Sequence, residues 1–122
     1  MTHKTNPHPD WTAFKRIRAR VLERFARRSL HACRAILERD DGDALGRMVA
    51  LAELFDQRSR DLRLLERFQS RSKILTGLAQ FKAFDLLDEH DLASLSPETR
   101  ARIEALGDTP GSANRPQRKS TE

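Results

Sequence analysis

Asp88-Glu89-His90-Asp91 is the densest group of titratable side chains in the sequence. Carboxylates beside an imidazole are the raw material of acid–base catalysis and of metal ligation. Consecutive residues of a helix point about 100° apart, however, so such a run cannot converge on one point. The group also falls where a helix is expected to end, and it reads as a solvated helix terminus. His31 and Cys33 point about 160° apart on a helix, which argues against a shared metal. His3 and His8 lie in a proline-containing stretch without apolar pattern. There is no glycine loop to cradle a phosphate, no G-x-S-x-G elbow and no tyrosine. No catalytic, metal or cofactor site is therefore expected, and the expectation is a protein that is not an enzyme.

A second group has chemistry of another kind. Arg16, Arg20, Arg24, Arg27 and Arg34 form a narrow stripe on a helix. It spans about 27 Å, with guanidiniums about 6 Å apart along the axis where the spacing is four. Such a stripe suits phosphates or an acidic protein partner. Base readout looks poor, because the only asparagines are Asn6 and Asn114, and Trp11, Phe14 and Phe25 belong to the apolar side. Nucleic-acid binding through the stripe would be salt-sensitive and weakly sequence-selective. The competing reading is a solvated face that pairs with acids of neighbouring helices. A membrane-surface helix ranks below both, because a helical hairpin would occupy the apolar face that such binding needs.

The charge distribution sharpens this. Up to Leu37 there are nine Lys/Arg against two acids; from Glu38 to Asp91 there are nine against twelve; the remainder has five against four. The basic character of the chain, net +5, thus belongs to its first helix. Arginine outnumbers lysine 18 to 5, a bias that a GC-rich genome writes on solvent-facing positions whatever the function.

The element that must position the stripe runs from Asp10 to Arg39. Trp11, Phe14, Ile17, Val21, Leu22, Phe25, Cys33 and Ile36 recur at helical spacing on the side away from the arginines. Lys15 and Arg18 project toward that apolar side, where long basic side chains can lay their stems and reach back to water. Asp10 is the expected N-cap, and Asp40-Asp41-Gly42 ends the helix. So short a connection implies an antiparallel hairpin, with Asp43 capping a second helix from Ala44 to about Gln69. There Met48, Leu51, Phe55, Leu62 and Leu65 keep heptad spacing, and Arg58 places a charge in the seam. Such a residue either sets register or oligomeric state or snorkels at the seam edge.

Gln69-Ser70-Arg71-Ser72 interrupts the pattern as a kink or as an end with a fresh N-cap at Ser72. A third helix is expected over Lys73 to Glu89, with Ile74, Leu75, Leu78, Phe81 and Leu86 as its apolar side. Gly77 inside it costs roughly 1 kcal/mol relative to alanine. Ser96 as N-cap, Pro97 at the first position and Gly107 as stop mark a short last helix. Leu92 to Ser96, followed by Arg100 and Arg102, also has the connector length of a helix-turn-helix, though the second helix carries few base-reading side chains.

The expected fold is all-α: an antiparallel hairpin of two long helices, a third helix packed on it and a short C-terminal helix. Residues 1–9 and 108–122 are expected to be disordered tails around a helical domain at 10–107. Two helices cannot cover their broad apolar sides alone, so the third helix or a second copy must. Trp11, Phe14, Met48, Leu51, Phe55, Leu62 and Leu65 are the candidates for helix packing or a dimer interface. MTHKTNPHPD lacks the apolar run of a secretory signal, nothing approaches membrane-spanning length, and the lone Cys33 permits no internal disulfide. A cytoplasmic protein is expected. Its expected role is that of an adaptor, chaperone-like factor or regulator, bound to another protein, to itself as a homodimer, or to both. A nucleic-acid-associated regulator acting through the stripe is the alternative.

Overall fold

The first helix, α1 (Trp11–Leu37), carries its buried residues at Phe14, Ile17, Val21, Phe25, Ser29 and Cys33, steps of three and four that keep one side inward. The computed structural model describes residues 9–68 and 70–106. Within them the fold is all-α. After α1 come α2 (Ala44–Leu65), one 3₁₀ turn (Arg71–Lys73), α3 (Ile74–Ala83), α4 (Glu89–Ala93) and α5 (Pro97–Leu106). The expected tails at 1–8 and 108–122 lie outside the described residues, as does the stop at Gly107.

α1 and α2 form the expected antiparallel hairpin. Gly42 takes the positive φ of 77° that the tight connection needs, a conformation without penalty for glycine. The Asp43 carboxylate accepts from the Gly46 N–H at 2.8 Å and caps α2 as its position suggested.

Burial divides the hairpin in two. Phe14, Ile17, Val21 and Phe25 of α1 join Leu65 of α2, Ile74, Leu78 and Phe81 of α3, Leu86, Leu95 and Ile103 in one core. This base contains α3 to α5. Beyond it, residues 27–58 form an arm of the two hairpin helices, from which Arg28 reaches back to the connection after α3. Leu65 is the one fully buried residue of α2, and it belongs to the base. In the arm, Ser29 and Cys33 are buried, while Ile36, Leu51 and Leu54 are half-buried.

Four expectations need correction. The helix expected over Lys73–Glu89 is two helices with a break. α3 stops at Ala83, and Asp85 enters the left-handed region at φ 60°. The break turns Leu86 into the core from a loop, where it is 2% exposed. A fresh helix then starts at Glu89, capped reciprocally by Asp88 and Asp91. The second helix ends four residues earlier than expected, at Leu65, so α2 and α3 are not continuous. Ser72 is not the cap of α3 either: it lies within the 3₁₀ turn, and α3 starts after Lys73 without a side-chain cap.

The fourth correction concerns Asp10. It occupies the N-cap position of α1 but makes no side-chain cap there. Buried, it reaches across to the start of α5. Its Oδ1 accepts from the Ser96 N–H at 2.8 Å, and its Oδ2 accepts from Ser96 Oγ at 2.9 Å and Thr99 Oγ1 at 2.6 Å. Ser96 Oγ in turn accepts from the Thr99 N–H at 3.4 Å, a long version of the expected cap, and Pro97 stands at the first helical position. Gly77 has a reason of its own. A Cβ there would lie 2.8 Å from the Phe68 carbonyl oxygen and 3.0 Å from the Phe14 ring. The missing side chain is what lets α3 close on α1.

Candidate functional site: the arginine side and the arm of the hairpin

The arginine stripe and the acidic cluster, separate features in the sequence, meet in space. Arg20 Nε donates to Asp91 Oδ1 at 2.9 Å. Arg24 donates through Nη1 to Asp91 Oδ2 at 2.5 Å, and through Nη2 to Asp91 Oδ1 at 3.3 Å and Asp88 Oδ2 at 2.9 Å. Its Nη1 also reaches the Leu86 carbonyl at 2.7 Å. One turn further, Arg28 donates to the carbonyls of Phe84 at 3.0 Å and Asp85 at 2.8 Å. Arg20, Arg24 and Arg28 are spaced by four, and together they hold the connection from α3 to α4 against α1. These bonds supply donors to carbonyls that the end of α3 leaves without helical partners, and they give the break after Ala83 its physical cause.

Asp91 is the centre of this arrangement, with a fully buried side chain. Burial alone pushes its carboxyl up. The hydrogen bond from Arg24, that from the Asp88 backbone N–H, that from Arg20 and the positive charge of Arg24 outweigh it, and hold the pKa down at about 2. Arg24 is correspondingly raised, first through its hydrogen bond to Asp91 and against the opposing effect of burial. A carboxylate so held has no proton to give near neutral pH and no free lone pair turned to solvent. The arrangement is built to fasten a loop.

The other stripe residues stand differently. Arg27 pairs with Glu23 at 2.9 Å within α1, and Arg34 with the C-cap residue Glu38 at 4.0 Å, both exposed pairs. Arg16 is exposed. The structure thus brings Arg20 and Arg24 together with Asp91 and leaves Arg16, Arg27 and Arg34 along an open surface. Arg28 was missed, although it continues the four-residue spacing of Arg16, Arg20 and Arg24. Of the two basics that project toward the apolar side of α1, Lys15 is exposed and Arg18 half-buried, as is Arg58 in the seam of α2. The Nε of Arg18 and that of Arg58 are buried without an acceptor among the described residues, which fits stems laid across the hairpin seam.

The packing candidates also divide. Phe14 and Leu65 are core, and Trp11 and Leu62 pack against it, half-buried. Phe14 stacks between Trp11 and Phe81 at centroid distances of 5.9 and 5.8 Å. Lys15 Nζ and the Arg71 guanidinium lie over the Trp11 ring at 5.5 and 5.4 Å. Leu51 is half-buried in the arm, whereas Met48 and Phe55 are exposed. Leu30, Leu37, Leu45 and Val49, which were not singled out from the sequence, are exposed beside them.

These side chains share a flank. On α1, Leu30 and Leu37 sit about 20° apart and about 90–110° around from the line facing α2. The core residues Phe14, Ile17 and Val21 lie on the other side of that line. On α2, Met48 and Phe55 sit about 20° apart and about 80–100° from the line facing α1. Because the helices run antiparallel, the two rotations carry all four side chains to the flank opposite α3–α5. Leu45 and Val49 continue the patch around the outside of α2.

The chain matches no family model, no curated protein and no solved structure. Among the described residues, no helix is long and apolar enough to cross a membrane.

Proposed function

We propose that this protein is a non-enzymatic interaction protein, an adaptor or regulator that engages a protein partner through the arm of its helical hairpin. One observation carries the reading. Leu30, Leu37, Met48 and Phe55 are 62%, 60%, 62% and 50% exposed, and helical rotation puts them on one flank. Scattered apolar side chains on a surface need no explanation, but exposed ones that recur seven residues apart on the same flank of both helices of an arm mark an interaction surface. The polar clusters support the same reading, because both have structural uses: Asp91 ties the α3–α4 connection to α1, and Asp10 ties α5 to it.

The alternative is a nucleic-acid-associated regulator acting through α1. It draws on Arg16, Arg27 and Arg34, which are exposed; Arg20 and Arg24, already hydrogen-bonded to Asp91, have little left to offer a phosphate. The two readings separate in one affinity-capture experiment with three forms of the full chain. These are the wild type, a Met48→Glu/Phe55→Glu form and an Arg16→Gln/Arg27→Gln/Arg34→Gln form. The proposal expects a protein that is captured by the wild type, lost with the arm variant and retained with the arginine variant. Capture unchanged by the arm substitutions overturns it. Retention of DNA or RNA at low salt, lost only with the arginine variant, favours the alternative.

A further inference from the structure

The arm has the properties of a surface made for its own copy. We infer that two chains pair through the Leu30–Leu37–Met48–Phe55 flank, two hairpins closing into a four-helix bundle. This rests on the reading of the arm as an interaction surface and names its first occupant.

Three features of the molecule point to a second copy. The first is charge. The chain as a whole is +5, but residues 27–58 hold six basic side chains (27, 28, 34, 39, 47, 58) and six acidic ones (38, 40, 41, 43, 53, 56), so the arm is neutral. Such a surface has no net charge to draw in a nucleic acid or an acidic protein, and two like copies meet on it without net repulsion. Its ionised rim is also largely satisfied from within. Arg34 pairs with Glu38, Arg39 with Asp41 and Arg60 with Asp56, all inside one chain.

The second feature is area. With the exposures above, the flank and its Leu45 edge present roughly 600 Å² of apolar surface per chain. A two-fold contact covering all of it would bury at most about 1,200 Å² of these side chains, which reaches the lower bound for specific interfaces. The third is shape. An antiparallel pair of helices with one apolar flank is half of a four-helix bundle, and an isologous contact completes it from a single kind of surface. Because α3–α5 pack on the opposite flank, nothing in the base obstructs the approach.

Sedimentation velocity or light scattering of the full chain across a concentration series tests the inference. The wild type is expected to rise from about 14 kDa, the mass of one chain, to twice that. Met48→Glu and Phe55→Glu on α2, and Leu30→Glu on α1, should each weaken association at least tenfold. Thr76→Glu, on the exposed side of α3, should leave it unchanged. All four positions are solvent-exposed in the single chain, and helical circular dichroism with a thermal melt checks that each variant is folded. A wild type that stays monomeric at every concentration overturns the inference. So does a dimer that dissociates with the α2 variants but not with Leu30→Glu, because the two helices would then not share the interface. An environment-sensitive apolar dye separates this failure from that of the parent reading. A monomer that binds the dye, and loses it with Met48→Glu, keeps an open arm for another protein. A monomer that binds none removes both.

Discussion

Asp91 shows how much one side chain carries. Its carboxylate receives Arg20, Arg24 and the Asp88 N–H, and so joins α1 to the start of α4. A carboxyl that ionises more readily in the folded chain stabilises the fold at all pH values above its unfolded pKa. That contribution is lost as pH falls through the folded value. Here the window runs from 3.8 down to about 2, and the shift corresponds to about 2 kcal/mol. Urea denaturation of the wild type between pH 5 and pH 2 should therefore show a loss of about that size assignable to Asp91, and Asp91→Asn should show a flatter profile over the same range. At pH 7, Asp91→Ala should cost about 3 kcal/mol, because it strands two arginines against a buried site. An equal acid response in wild type and Asp91→Asn would show that other carboxylates set the acid limit. The pairing itself was not legible in sequence. Asp88-Glu89-His90-Asp91 had the look of a helix end, and a helix does begin at Glu89. That one of its acids would be buried depended on which element lay beside it, and Arg20 is 71 residues away.

At the scale of elements, α1 is one helix with two environments. Its first half is covered by α2 and by α3–α5, its second half by α2 alone. Local stability follows coverage by packed apolar surface. Hydrogen exchange on a dilute sample should therefore show slow amides at residues 14–25 and faster ones at 30–36 and 47–55. Raising the protein concentration should slow the arm and leave the base unchanged. Uniform protection along α1 at low concentration would contradict the division. The boundaries of α1, the turn at Gly42 and the cap at Asp43 were legible because they rest on local rules: spacing of apolar residues, an acidic Gly-containing connection, a carboxylate before a helix. The break after Ala83 was not. Ile74, Leu78, Phe81 and Leu86 keep an acceptable helical spacing. The carbonyls of Phe84, Asp85 and Leu86 leave the helix because Arg24 and Arg28, on another element, supply their donors.

Over the whole molecule, the base is closed by two long-range ties from α1, one at each edge. The Arg20–Arg24–Arg28 set holds the α3–α4 connection, and Asp10 holds the head of α5 through Ser96 and Thr99. Asp10→Ala removes an acceptor from three donors, with an expected loss of about 2–3 kcal/mol of unfolding free energy by urea denaturation. Asp10→Asn, which keeps one acceptor oxygen, should lose less. Equal, small losses for both would show that α5 is held by Ile103 and the apolar core alone. From its sequence alone the chain was determined to be all-helical and to begin with an antiparallel hairpin. The period of the apolar residues and the shortness of residues 38–43 are properties of neighbouring positions. Tertiary structure decided what the polar residues do. It paired Arg20 and Arg24 with an acid from a distant helix, turned Asp10 from a cap of its own helix to a clasp on another, and packed Phe14 and Leu65 into the base while leaving Met48 and Phe55 bare. The physical reason is that burial and pairing are set by the neighbours a side chain meets in space. A helical wheel shows which way a residue points, and only the packed fold shows whether anything is there.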